Sequence, residues 1–194
     1  MSISNYYNKM VKDEAYLTHT LPVKKSSLIN SKLLISVLFM LITFVVMFLA
    51  IYICYSDIIK VFEYVYDFII NYVDDFDIML FVIIMALSLL FGYIYNLLMI
   101  YLAIAFGQTR ATKKGLFSVI FWFIIYNITS VVTSVLTLIP ALFSNKYASY
   151  FENDLMAISD INILLAYSLI ITIVVNFVFY IMTVKTMEKK LNLD

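Results

Sequence analysis

Few residues in this sequence are equipped for chemistry. It has one histidine, His19, one cysteine, Cys54, and three glycines, Gly92, Gly107 and Gly115. A lone histidine with no cysteine nearby is not a metal-ligand set, so His19 reads as a solvated surface residue. Three scattered glycines cannot assemble a phosphate-binding loop or a dinucleotide fingerprint. Cys54 lies in an apolar run, reads as a buried thiol in a lipid-facing helix, and has no second cysteine to pair with. The other polar groups inside the apolar runs are uncharged, and they include Asn96, Asn127, Asn176, Thr129, Ser130, Thr133 and Ser134. Thr129 and Thr133 are four residues apart, as are Ser130 and Ser134, so each pair stacks on one side of a helix. Two roles are open to these groups. One is hydrogen bonding between helices, about 0.6 kcal/mol each in a membrane. The other is a polar lining for a substrate path, formed by Asn96, Asn127, Thr129, Thr133 and Asn176. The sequon Asn127-Ile128-Thr129 is inside an apolar run and does not read as a glycan acceptor.

Asp, Glu, Lys, Arg and His are all missing from these runs. Proton- and ion-coupled transporters bury ionisable groups, and intramembrane proteases and metal-dependent enzymes need carboxylates or histidines. The sequence therefore points away from an enzyme and from any cofactor or metal bound by this chain.

The elements that position these residues are apolar helices. Of the 194 residues 64% are apolar and only 13% are charged, about half the charged share usual in soluble domains. Mean hydropathy is +0.97. Four runs are long enough to cross a bilayer: residues 33–55, 78–106, 116–139 and 161–184. The first has no charge, glycine or proline, and fifteen of its residues are Leu, Ile, Val or Phe. At about 1.5 Å per residue it reaches roughly 35 Å, enough for the roughly 30 Å hydrocarbon core. The second is longer than a perpendicular span needs, so it tilts or stands proud of the membrane. The third is expected to stop at Pro140 and the fourth at Lys185. The fold class is thus all-α: a polytopic membrane protein with a four-span domain over residues 33–184.

Basic residues set the expected orientation. Eleven of the thirteen fall before the first run, between the second and third, or after the fourth; only Lys60 and Lys146 lie in the other two loops. The positive-inside rule puts the majority side in the cytoplasm, with both termini. A cell membrane is the expected location. Net charge is zero, so bulk electrostatics suggests no nucleic-acid partner.

The segments outside the runs also carry pattern. Between residues 57 and 77, Lys60, Glu63, Asp67, Asn71 and Asp74 fall at steps of three and four, on one helical face. This reads as an amphipathic helix on the outer surface of the bilayer, or as an extension of a neighbouring span. Residues 140–160 read as a partly ordered hairpin or interfacial turn. Residues 1–32 read as a cytoplasmic amphipathic segment and 185–194 as a cytoplasmic tail. The N-terminus lacks the pattern of a cleavable signal peptide, and Ser2 excludes myristoylation. Tyr7, Met10, Val11, Glu14 and Leu17 have the spacing of a short amphipathic helix. Pro22 stops a helix there, and Ser26 or Ser27 can cap the next one.

The stretch EAYLTHTLPVKKSSLINSKLL, from Glu14 to Leu34, resembles permease subunits of bacterial ABC transporters, of the type-2 exporter class in low-GC Gram-positive bacteria. In that family a segment like E-x-Y-L-T-x-T-L-P-V followed by S-K-L-L precedes a transmembrane helix. Here it comprises Glu14, Tyr16, Leu17, Thr18, Thr20, Leu21, Pro22 and Val23, then Ser31, Lys32, Leu33 and Leu34. The resemblance covers roughly 20 residues at motif level. It implies a membrane subunit that partners a separate ATP-binding ABC subunit, which binds the ATP and drives movement of a substrate. On the resemblance, Glu14, Tyr16, Leu17, Leu21, Pro22, Val23 and Lys32 contact the ATPase. Family members carry six spans, two of them ahead of this motif. Only 13 residues precede Glu14 here, so against the family this sequence reads as a truncated product, a mis-assigned start or a naturally short subunit, and four spans enclose a path only as a homo- or hetero-oligomer. The competing reading is an auxiliary membrane protein, an immunity or assembly factor, that binds another membrane protein.

Overall fold

The computed structural model describes residues 25–54, 75–110, 113–143 and 158–189. They form four helices: α1 (Lys25–Cys54), α2 (Asp75–Gln108), α3 (Lys114–Phe143) and α4 (Ile158–Lys189). No strand occurs among the described residues. All four are long and apolar enough to cross a membrane. Their lengths of 30, 34, 30 and 32 residues correspond to about 45–51 Å, so each extends past the hydrocarbon core.

Exposed side chains support the same conclusion. Leu38, Phe39, Leu41, Ile42, Val45, Val46, Met47, Phe48 and Leu49 of α1 lie open in succession, as do Val119, Phe123, Ile128, Val131 and Val135 of α3. A water-soluble monomer does not leave apolar surface on that scale. In lipid it carries no penalty. The chain is a multi-pass membrane protein.

Helix α2 is the centre of the bundle. It packs most extensively on α4, then on α3, while α1 makes few contacts. The core lies in one half of the bundle, where α2 is buried on nearly all sides from Leu97 to Ala105. One cluster joins Ile29 of α1, Tyr101, Ile104 and Ala105 of α2, and Met187 of α4. A second joins Leu98, Met99 and Leu102 to Phe179 of α4, with Tyr95 stacked on Phe179 at 5.5 Å between centroids. Ser36 is the last buried residue among the described side chains of α1, which is anchored by its first three turns.

The up-and-down chain path sorts the described charges. Lys25, Lys32, Arg110, Lys113, Lys114, Lys185 and Lys189 lie at one end, called here the basic end, and Glu188 is the one acid beside them. Asp75, Asp77 and Asp160 lie at the other.

Several expected boundaries move. α1 runs unbroken from Lys25 through Leu33, in keeping with the cap expected at Ser26 or Ser27, so the segment expected over residues 1–32 shares residues 25–32 with the first helix. Residues 75–77, expected in the surface helix, are the first turn of α2, and α4 continues beyond Val184 to Lys189. The cause is common to all three. A bilayer sets how long an apolar run must be, but helical hydrogen bonding does not end where the apolar run does. The rest of the expected segments 1–32 and 57–77 lies outside the described residues.

The third helix does not stop at Pro140 but runs through it to Phe143. Proline has no N–H, so the carbonyl four residues back, Leu136 O, loses its helical donor. Tyr167 of α4 replaces it: its hydroxyl donates to Leu136 O at 2.9 Å. Tyr167→Phe therefore strands that carbonyl in an apolar setting, and a loss of about 1–3 kcal/mol is expected in chemical denaturation. In a Pro140→Ala background, which restores the backbone N–H, the same substitution should cost less than half as much. Equal costs in both backgrounds would contradict this role for Tyr167.

Candidate functional site: the basic end of the bundle

Four helix termini meet at the basic end: the start of α1, the end of α2, the start of α3 and the end of α4. The α2–α3 connection is tight for a specific reason. Gly107 has no Cβ, and one built there would overlap the Ser118 hydroxyl and lie 2.8 Å from both Lys114 O and Ser118 N. Only glycine lets α3 begin this close to α2. Hydrogen bonds hold the exit from α2, with Thr109 N and Thr109 Oγ1 donating to Phe106 O at 3.1 and 2.8 Å. Arg110 N donates to Gly107 O at 3.3 Å. The Arg110 guanidinium lies 5.5 Å from the centre of the Phe117 ring, a cation–π contact. Lys113 has a left-handed backbone, φ 52°, and its carbonyl accepts the first bond of α3 from Phe117 N at 3.1 Å. Phe106 and Phe121 pack at 5.6 Å on the same pair of helices. Arg110, Lys113 and Lys114 thus flank the tight contact between α2 and α3.

Lys32 is part-buried on α1 at this end. The other residues expected to contact a partner, Glu14, Tyr16, Leu17, Leu21, Pro22 and Val23, lie outside the described residues. They precede Lys25 in the chain, and Lys25 belongs to the basic end.

The five expected lining residues do not share one surface. Asn96 and Asn127 are exposed on the outside of the bundle, and each amide donates to its own helix, to Gly92 O and Phe123 O, both at 2.8 Å. Thr129 is between helices: its hydroxyl accepts from Tyr95 OH at 2.9 Å and donates to Ile125 O at 2.7 Å. Thr133 donates to Thr129 O at 2.8 Å within α3. Asn176 is buried between α4 and α2, where its amide donates to Phe91 O at 3.0 Å. Among the described residues, these side chains bond within one helix or between two.

Sequence reading singled out the amides and threonines but not the tyrosines that reach across between helices. Tyr93 OH donates to Ser36 O at 3.3 Å, joining α2 to α1, while Tyr95 and Tyr167 join α3 to its neighbours. A tyrosine inside an apolar run must satisfy its hydroxyl on protein, and that was the available signal. At the acidic end Asn162, buried, donates to Asp77 O at 2.9 Å and ties α4 to α2.

Asn176→Leu removes the α4–α2 bond near mid-membrane, and with it the side-chain oxygen that has no partner among the described residues. The two effects oppose each other. A change within about 1 kcal/mol is expected, because membrane interhelical bonds average about 0.6 kcal/mol. A loss above about 2 kcal/mol in denaturation would instead mean that Asn176 holds something the described contacts do not include.

The chain matches no protein family, no characterised protein and no solved structure.

Proposed function

We propose that this chain is a membrane-spanning subunit of an ATP-driven, ABC-type transporter, set in a bacterial plasma membrane with its basic end in the cytoplasm. The observation that carries the reading is the stretch from Glu14 to Leu34, whose residue pattern resembles the segment that joins such permeases to their first following helix. Two features of the bundle support it. The second half of that stretch is the first turns of α1, and Ile29 packs against Tyr101 and Met187 there. Helix α1 is anchored to α2 and α4 by those turns and little else. The side orientation rests on the distribution of Lys and Arg.

In this reading a separate ATPase binds the nucleotide and docks on the cytoplasmic surface. Glu14 and the Leu21-Pro22-Val23 turn couple it to α1, and a second copy or another subunit completes the path. An ATPase should co-purify with the tagged chain in mild detergent. Glu14→Gln and Pro22→Ala should leave that complex assembled while reducing transport per ATP hydrolysed by about tenfold. A complex purified from its native membrane without any ATPase would overturn the proposal. If the gene's loss lowers the abundance of another membrane protein while substrate flux stays normal, the chain is instead an auxiliary factor.

A further inference from the structure

Helix α3 turns one face to α2, and its opposite face is open but not uniformly apolar. Thr129 bonds to Tyr95 of α2, and Asn127, two residues earlier, lies about 200° round the helix from it. Asn127 is exposed and is the central residue of the 27-residue span Lys114–Pro140. Its carboxamide therefore stands at mid-membrane on the outer surface of the bundle. One N–H donates to Phe123 O at 2.8 Å, while the side-chain oxygen and the other N–H have no partner among the described residues. Hydrocarbon satisfies neither group, and leaving them unpaired at that depth is costly.

The residues around Asn127 repeat with it. Ile120, Asn127 and Ser134 are spaced by seven, Phe123, Ser130 and Thr137 follow each of them by three, and all six are exposed. This is the a and d spacing of two helices in a left-handed pair, the common crossing in membranes. The small side chains of Ser130 and Ser134 admit a second helix closely, and no charge on this face opposes one.

Depth selects the occupant. All copies of the chain insert the same way, so the α3 helices of two neighbouring copies run parallel. In a parallel pair, equivalent a positions meet across the two-fold axis, which brings Asn127 against its counterpart at the bilayer centre. A carboxamide both donates and accepts, so each side chain offers what the other lacks. An acyl chain offers neither group.

We propose that two copies of the chain associate through this face of α3, with their Asn127 side chains hydrogen-bonded to each other at mid-membrane. The pairing requires only that the chain spans a membrane. It holds whichever end of the bundle faces the cytoplasm, and with or without an ATPase.

The full chain, in a Cys54→Ala background and carrying donor or acceptor dye at Thr112→Cys, is reconstituted into vesicles of phosphatidylcholine and phosphatidylglycerol at a series of protein-to-lipid ratios. Energy transfer should rise and saturate as the ratio increases. Asn127→Leu should raise the ratio needed for half-maximal transfer by about tenfold, the effect of one interhelical bond in model membrane peptides. Asn127→Gln, which keeps the carboxamide, should shift it by less than about threefold. The site is exposed, so neither variant disturbs the bundle core. In native membranes, oxidation should link Ser134→Cys to its own copy at least about fivefold more readily than Val135→Cys, which is 57% exposed but about 100° further round the helix. Energy transfer no greater than random mixing at every ratio would mean that lipid covers this face, and would overturn the proposal. So would Asn127→Leu associating as tightly as the unaltered chain, equal cross-linking at the two cysteine positions, or a Ser134→Cys product that joins the chain to a different protein instead of its copy.

Discussion

Replacing Tyr101 with alanine should destabilise the bundle by about 3–5 kcal/mol and release α1. The expectation rests on place as well as size. Tyr101 is fully buried, one of the largest such side chains in the structure, and it sits where α1, α2 and α4 meet with Ile29, Ile104, Ala105 and Met187. Removing a buried aromatic ring forfeits its packing contacts and leaves a cavity that the neighbours only partly fill, a loss of about that size. Here the neighbours include the anchor of a helix with little other attachment. Two readouts separate loss of stability from loss of the joint. Denaturation in detergent gives the first. Disulfide formation between Ile29→Cys and Met187→Cys, in a Cys54→Ala background, gives the second and should fall at least fivefold when Tyr101 is alanine. An unchanged midpoint together with unchanged cross-linking would mean that α1 is held by something else.

Gly107→Leu should be the most damaging glycine substitution, and Gly92 supplies its control. Even alanine at 107 must displace backbone atoms, Lys114 O and Ser118 N, in addition to the Ser118 hydroxyl. A serine side chain can rotate away, but a helix backbone cannot give locally. Overpacking of this kind costs about 1–3 kcal/mol, and the branched leucine side chain lies beyond that range. Gly92 is in the same helix with nothing within 4 Å of its missing Cβ. There, alanine should stabilise α2 by about 0.5–1 kcal/mol through lower backbone entropy in the unfolded chain. Thermal denaturation of Gly107→Ala, Gly107→Leu and Gly92→Ala should therefore give two losses and one gain. A tolerated Gly107→Leu would mean that α2 and α3 are not held together at this contact.

The helices themselves were legible because lipid is an undemanding reader of sequence. An uninterrupted apolar run such as 33–55 has one stable outcome in a bilayer, a hydrogen-bonded helix. Count and approximate position followed from composition alone. What composition did not carry is pairing between helices. Nothing in the run 116–139 indicates that Tyr167 will supply the donor that Pro140 lacks, because that contact joins residues 31 positions apart. In sequence Gly107 is only one of three scattered glycines; its role is set by the approach of Ser118 from the next helix. Asn127 and Thr129 are two residues apart in sequence, yet one faces outward and the other bonds across to Tyr95. Hydrophobic periodicity identifies faces when one side meets water, but in a helix that is apolar all round it leaves the facing direction open.

The membrane arrangement underlies every functional statement made for the chain, and labelling from one side tests it. Thr112→Cys and Tyr150→Cys, each in a Cys54→Ala background, are exposed in intact cells to a membrane-impermeant maleimide. Residue 150 should react from outside, while residue 112 should react only after the cells are opened. Labelling of residue 112 from outside, with residue 150 protected until the cells are opened, would place the basic end outside the cell and contradict the account.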